Sequence, residues 1–432
     1  MFSSLYNLSA TIMNTTDVIP LVIQPTLESY EQKSRELLKS YLQLDDHSVK
    51  YVLKYHPDPH KFNEVNLSSS EFNMDDARLT IARQHGFADY RVFKSHLTEL
   101  DDESSLTCRF EQAADAIVSG DVHTLSRLIA DDPALISTRS TRTHRATLLH
   151  YLAANGVEQF RQKSATNATS IAGILLDAGS EVDAAADVYG SNWHTTLDLL
   201  VSSVHPARAG VQTALVEKLL DYGAAVNGCN NDCSPLLTAI SFHYPLAAET
   251  LVRRGARVDT IVAAAALGHL GEVSGYLRGR GMLKSQTPTV QVPWADCRSN
   301  PEKQLELALV WAAMHNRAEV VEFLLDQGVS IASTDFCRWT ALHWAAYYGC
   351  TETCQILLRR KAPLEARNEF GGTVLDQTLW ATVHEGVAPH HLSIIEKLVK
   401  AGARIHPWWL FASLTPPLDP RVAKLLGDHT AV

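Results

Sequence analysis

TALHWAAYYG, running from Thr340 to Gly349, sets a threonine three residues before a histidine, then two alanines, two tyrosines and a glycine. Two readings compete. In one, His343 is a chemical group in a pocket lined by Trp344, Tyr347 and Tyr348. In the other, Thr340 and His343 fasten the start of a helix, because a Thr hydroxyl caps the free N–H groups there. Counterparts elsewhere in the chain decide. TLLH (147–150) repeats the pair with His150, whereas TTLD (195–198) and TVLD (373–376) put Asp198 and Asp376 in the histidine's place. An imidazole that exchanges with a carboxylate shares a hydrogen-bonding task, not base catalysis. The fastener reading wins.

A second phrase recurs downstream of each such start: GILLDAGSEVD (173–183), EKLLDYGAAVN (217–227), ETLVRRGARVD (249–259), EFLLDQGVSIA (322–332), QILLRRKAPLE (355–365) and EKLVKAGARIH (396–406). Each reads as a helix end, with apolar pairs facing a core and a glycine adopting the left-handed cap. The marker positions Gly223 and Gly255 are 255 − 223 = 32 residues apart, and Gly328 and Lys361 are 361 − 328 = 33 apart. A period near 33 predicts stacked helix–turn–helix units joined by polar hairpins. Wider gaps, 223 − 179 = 44 and 402 − 361 = 41, place insertions near 203–210 and near HEGVAPHH (384–391). Residues 161–169 read as another insertion, 260–281 as a truncated unit, and 283–303 as a long polar loop.

These motifs resemble the ankyrin-repeat family, whose signature is T-P-L-H-x-A-A-x-x-G followed by a second helix ending L-L-x-x-G-A. The match is close over 335–367 and extends, with gaps, from about 108 to 406. The resemblance implies an all-α solenoid of about eight units over 106–406. Residues 27–105 precede it as a helical module: LESYEQKSRELLKSYLQL places Leu37, Leu38, Tyr41, Leu42 and Leu44 on or near one face, and residues 75–100 read as helix, Gly86 stop, helix. That last segment resembles a module found ahead of ankyrin arrays in bacterial proteins. Residues 1–26 are expected to be flexible and 407–432 to cap the array, because a terminal repeat must shield apolar surface.

Bulk properties narrow the function. The 432 residues carry 38 basic and 48 acidic side chains, a net charge of −10 without the basic face a nucleic-acid binder needs. No apolar run reaches the ~20 residues needed to span a bilayer, and the first residues lack a basic n-region, so neither membrane insertion nor a signal peptide is expected. Seven irregularly spaced cysteines fit a reducing, cytoplasmic location. Three clusters carry metal-ligand residue types: Cys350/Cys354 with His343, Cys229/Cys233, and His384/His390/His391. None offers a second matching pair, so no metal and no cofactor is expected. Phosphate-loop, nucleophile-elbow and H-E-x-x-H motifs are absent.

What remains is binding. The ankyrin resemblance implies that hairpin tips and the exposed ends of first helices grip a protein partner on the concave side. Carried over residue by residue, those positions are Met314, His315, Tyr347, Tyr348 and Trp380 at helix ends, with Phe336, Trp339 and Phe370 in hairpins. The equivalents nearer the N-terminus are Ala154/Asn155, Ser202/Ser203 and Ser241/Phe242, so large side chains concentrate in the C-terminal half; the alternative is that these aromatics pack under the loop 283–303 or the C-terminal insertion, an intramolecular use. Trp344 is expected in the core between units. The expected function is a monomeric protein-binding scaffold with no chemistry of its own. The alternative is an enzyme or effector whose active part is the module at 27–105, with the repeats used for targeting.

Overall fold

The computed structural model describes residues 18–22, 25–62, 72–279, 281–292, 295–296, 300–411 and 416–430. The chain forms two compact units, residues 1–231 and 232–432.

The first unit begins with four helices: α1 (Leu27–Leu42), α2 (Asp46–Tyr55), α3 (Met74–Gln84) and α4 (Tyr90–Leu100). Side-chain caps start them, Thr26 on α1, Asp45 on α2, Asn73 on α3 and Asp89 on α4. Two aromatic cores hold them, one of Tyr30, Ile81, Ala82, Phe87, Phe93 and Leu97, the other of Tyr41, Val52, Phe62, Phe72 and Ala77. The expected apolar stripe of α1 is shifted. Tyr30 and Tyr41 are buried, whereas Leu42 and Leu44 face solvent, because the helix ends at Leu42 and Leu44 turns left-handed. Of the expected flexible N-terminus, residues 1–17 lie outside the described residues. Residues 18–22 are docked: Ile19 N–H donates to the Gln84 carbonyl (3.1 Å) and Val22 N–H to the Tyr30 hydroxyl (3.1 Å).

Helix pairs follow. α5 (Leu106–Ser119) turns at left-handed Gly120 into α6 (Val122–Asp131). A 3-10 helix (Leu148–Ala153) pairs with α7 (Ala168–Asp177), and a small antiparallel hairpin, β1 (Ala185–Val188) and β2 (Ser191–Thr195), leads into α8 (Thr196–Leu200). The expected insertion at 203–210 is a short helix, α9 (Val204–Arg208), ahead of α10 (Gln212–Asp221). α5, the 3-10 helix and α8 pack in series, and α7 packs on α10.

In the second unit the pairs are α11 (Ser234–Ser241) with α12 (Pro245–Arg253), α13 (Ile261–Leu267) with α14 (Leu270–Tyr276), α15 (Pro301–Met314) with α16 (Ala318–Asp326), α17 (Ala341–Tyr347) with α18 (Thr351–Arg359), and α19 (Val374–His384) with α20 (His391–Lys400). The first helices α11, α13, α15, α17 and α19 stack in order, as do the second helices α14, α16, α18 and α20. This is the all-α stack of helical hairpins that the period predicts. The loop after α14 carries two short hairpins, β3 (Leu277–Gly279) with β4 (Met282–Leu283) and β5 (Gln291–Val292) with β6 (Ala295–Asp296). At the end of the stack α21 (Pro420–Thr430) packs on α20 and buries Val422 and Leu426.

Candidate functional site

α17 begins with the predicted fastener. The Thr340 hydroxyl accepts the His343 N–H, and His343 Nδ1 accepts the Thr340 N–H (3.2 Å). Nδ1 as acceptor leaves the proton on Nε2, which faces the Gly372 carbonyl of the next hairpin at 3.4 Å. His150 repeats this with Thr147 and the His194 carbonyl. Asp198 and Asp376 close the same box with Thr195 and Thr373 through a carboxylate oxygen. Burial pushes His343 and His150 down to about 4, so both stay neutral. Nδ1 of His343 thus closes its own helix start, and Nε2 ties that repeat to the next. His343→Ala is expected to remove the imidazole's bond to the Thr340 N–H and this tie together, costing about 2 kcal/mol, read as a lower urea midpoint at unchanged far-UV circular dichroism. An unchanged midpoint would refute the fastener role.

The aromatics expected to face a partner mostly face each other. Trp339 is 2% exposed and Tyr347 5% exposed, and Met314 and His315 are buried as well. Trp339 stacks on Trp344 (centroids 4.2 Å), Trp344 is stacked parallel to Tyr348 at 5.7 Å, and Tyr348 stacks on His243 (3.6 Å). The indole N–H of buried Trp344 donates to Asp335 (2.7 Å), and His391 Nε2 meets the Tyr347 carbonyl (2.9 Å). His315 Nε2 meets the Ile240 carbonyl at 2.9 Å. The physical reason is mutual packing: the rings of Trp339, Trp344, Tyr347 and Tyr348 desolvate one another, and the ends of α11 and α15 meet beside α13, whose residues 263–266 are all alanine, with the His243 and His315 rings 4.8 Å apart. The exposure expected of Trp339, Tyr347, Met314 and His315 is therefore corrected. Tyr348 and Trp380 are half-buried, the latter stacked on His384 at 4.1 Å. Trp344 sits in the core, as expected.

Two of the eight side chains stand clear: Phe336 is 48% exposed and Phe370 53%. Both sit at hairpin tips, in the loops before α17 and α19. Glu369 N–H donates to the Cys337 carbonyl (3.0 Å), so the tips meet edge to edge with one phenylalanine on either side of the bond. Asp335 braces the first tip by accepting the Cys337 and Trp339 N–H groups (2.9 Å each), and burial pushes its carboxyl up to about 6. Asn368 braces the second by accepting from Phe370 and Gly372 (3.0 Å each). Backbone braced in this way has little conformational freedom left to lose.

Comparison with known proteins now bears on the second unit. The family described as "Ankyrin repeats (3 copies)" matches residues 282–368 and 309–406. The chain carries ankyrin repeats there. Over 69 residues, 16% of the chain, it is 36% identical to protein phosphatase 1 regulatory subunit 12A of Mus musculus, and equally to that of Rattus norvegicus. The chain spans 7% of the length of these relatives. Both are mammalian, and the bacterial likeness of residues 75–100 gains no support from them. The crystal structure of the ankyrin repeat domain of Bcl-3, a member of the IκB family, aligns with 67% of this chain and 97% of its own at 18% identity, with a TM-score of 0.30.

Ankyrin-type patterns account for the caps and stacking. They do not account for a buried ionic cluster in the first unit, which sequence reasoning missed. Glu158, fully buried, lies 2.9 Å from Arg142 and 3.5 Å from both Arg161 and His144. Glu111 bridges Arg142 (2.5 Å) and Arg161 (2.7 Å), and Arg161 also meets Asp115 (2.7 Å). Burial alone would raise both glutamates, but Arg142 and Arg161 outweigh it and hold their carboxyls below the usual range. Arg142 also lies over the Phe87 ring (5.2 Å), and Thr143 N–H donates to the Gly86 carbonyl (2.9 Å). The cluster thereby seats α3 and α4 against the first repeats. Arg161 falls where the sequence reads as an idle insertion. No group of three or more His, Cys, Asp or Glu side chains among the described residues is placed to hold a metal.

Proposed function

We propose that the chain is a protein-binding module that grips its partner along the hairpin edge of the second unit, without chemistry of its own. The observation that carries this is the pair Phe336 and Phe370, two half-exposed aromatic side chains on braced, hydrogen-bonded neighbouring tips. Exposed aromatics on rigid backbone are the usual hot spots of protein recognition. The aromatic cluster beneath is support for this edge rather than contact surface. The alternative of an active N-terminal module finds little to build on. Its interior is filled by the two aromatic cores, and Glu31 is committed to Arg78 (2.9 Å) and Tyr90 (2.9 Å). The six described cysteines are free thiols, which fits the reducing, cytoplasmic setting we infer.

The test is capture by the full chain and by Phe336→Ala/Phe370→Ala, with bound proteins quantified by mass spectrometry. Loss of two hot-spot rings should weaken specific capture by about tenfold or more, while melting and helicity stay unchanged because neither ring packs inward. Equal capture by both proteins would refute the edge as the binding surface.

A further inference from the structure

In the second unit a histidine stands where the other repeat turns place glycine or asparagine. Just past α13, α15, α17 and α19 come Gly268, Asn316, Gly349 and Gly386, each with positive φ. Just past α11 the same place is taken by His243, with φ of 58°. That conformation favours glycine and strains a residue with a bulky side chain. Strain that the surroundings hold in place points to a side chain kept for what it touches.

The contacts of His243 reach beyond its own repeat. Its ring lies 3.6 Å from Tyr348 at an interplanar angle of 20°, and 4.8 Å from His315. First helices stack in the order α11, α13, α15, α17, so these rings join the end of α11 directly to the ends of α15 and α17. Behind Tyr348 lies Trp344, parallel to it at 5.7 Å. His243 Nδ1 is buried and has no hydrogen-bond partner among the described residues. His315 is anchored differently, by Nε2 on the Ile240 carbonyl (2.9 Å). The titratable groups around the stack come from every neighbouring turn. His315 and Arg317 act on His243 from the α15–α16 turn, while Tyr244, Tyr347, Cys350 and Glu385 act on Tyr348. Glu385 shares a hydrogen bond with Tyr347. Burial, with His315 and Arg317 beside it, holds His243 well below the usual histidine value.

We propose that His243 and Tyr348 form a proton-operated clasp. With a neutral imidazole the stack holds the ends of α11, α15 and α17 together; a protonated imidazole leaves for water and bares the Tyr348 ring, with Trp344 behind it. This surface is separate from the hairpin edge and goes beyond that reading. The sign follows from the two states. The closed clasp excludes the proton, and the open one binds it near 6.5. Closure is therefore complete above that pH, and opening becomes favoured by up to about tenfold per pH unit below it.

Hydrogen exchange of the full chain, followed by peptide mass spectrometry from pH 7.5 to 5.5 with times scaled to the intrinsic rate at each pH, reads the clasp locally. The reporters are the Tyr348, Gly349 and Cys350 N–H groups, which donate to the Trp344, Ala346 and Ala345 carbonyls (3.0, 3.3 and 2.8 Å). Their protection should fall by up to about tenfold per pH unit below 6.5. His243→Phe keeps a ring and the backbone strain but takes no proton, so its protection should stay flat over the same range. His243→Gly relieves the strain and removes the ring, and should exchange at pH 7.5 as the native chain does at pH 5.5. A fall that persists in His243→Phe would assign the effect to general loosening in acid and overturn the proposal. Full protection of His243→Gly at pH 7.5, or a flat native profile, would overturn it as well.

Discussion

Arg142→Met is expected to be among the most damaging single substitutions in the first unit. The apolar side chain roughly conserves volume but strands Glu158 and Glu111, both held below the usual carboxylate range chiefly by Arg142 against the penalty of burial. Breaking a buried ion pair from one side costs about 3–5 kcal/mol, because the desolvated charge left behind has lost its compensation. Arg161 still lies 2.7 Å from Glu111 and 3.5 Å from Glu158, which places the loss near the lower end of that range. Removing both partners, as in Arg142→Met/Glu158→Leu, should recover much of it, since an apolar pair of similar volume is often neutral. Urea unfolding of the two singles and the double gives the coupling directly. Additive losses would show that the charges do not act as a unit. Hydrogen exchange should also rise in α3 and α4 in the single variant, because Arg142 and Thr143 are what seat them against the repeats.

Acid should unfold the chain well above the pH at which carboxylates titrate. Burial pushes His85, His96, His150, His194, His315 and His343 down to about 4. Each is neutral in the folded chain but takes a proton near 6.5 once unfolded. Their stabilisation is therefore complete above pH 6.5 and is lost as the pH falls from 6.5 to about 4. At most each contributes a slope of about 1.4 kcal/mol per pH unit. Four of the six lie in the first unit. The low-lying Glu111 and Glu158 also lie there, and they add a further loss as the pH falls below about 4.3, the unfolded value. The first unit should thus lose protection first when hydrogen exchange is followed by peptide mass spectrometry from pH 7.5 to 4.5. A flat stability profile over that interval would contradict the buried neutral state of these histidines.

Much of this architecture is legible in the residues because it is local. A Thr with His or Asp three positions on makes a capping box whatever surrounds it, so Thr340/His343 and Thr373/Asp376 could be read without coordinates. The glycine at the end of each L-L-x-x-G phrase marks a left-handed residue for the same reason, and Gly223, Gly255 and Gly328 all have positive φ. Lys361, the substitution, keeps the conformation with φ of 59°. The extra residues at 203–210 were visible as spacing, though their folding into α9 was not.

The candidate site was only partly legible. Position in a repeat predicts which way a residue points, but not whether a neighbour already fills that space. Tyr347 and Tyr348 stand where helix ends meet partners in such arrays, yet His243, His391 and their own tryptophans cover them. That cover comes from segments distant in sequence, His243 just after α11 and His391 at the start of α20. The ionic cluster was hidden more completely. Glu111, Arg142, Glu158 and Arg161 are separated by a helix pair and a loop, and no local pattern shows that four surface-type residues will share one interior.

For this protein, the sequence alone determined what depends on near neighbours along the chain: the helix starts, the left-handed stops, the repeat period and hence the stack of hairpins. Tertiary structure decided what depends on desolvation, namely which aromatic side chains stay in water and which charges leave it. Phe336 and Phe370 remain exposed because they sit at loop tips that the described residues leave uncovered. Trp339 and Glu158 are buried because distant segments close over them, and whether water is excluded is a property of the assembled volume rather than of any one stretch of chain.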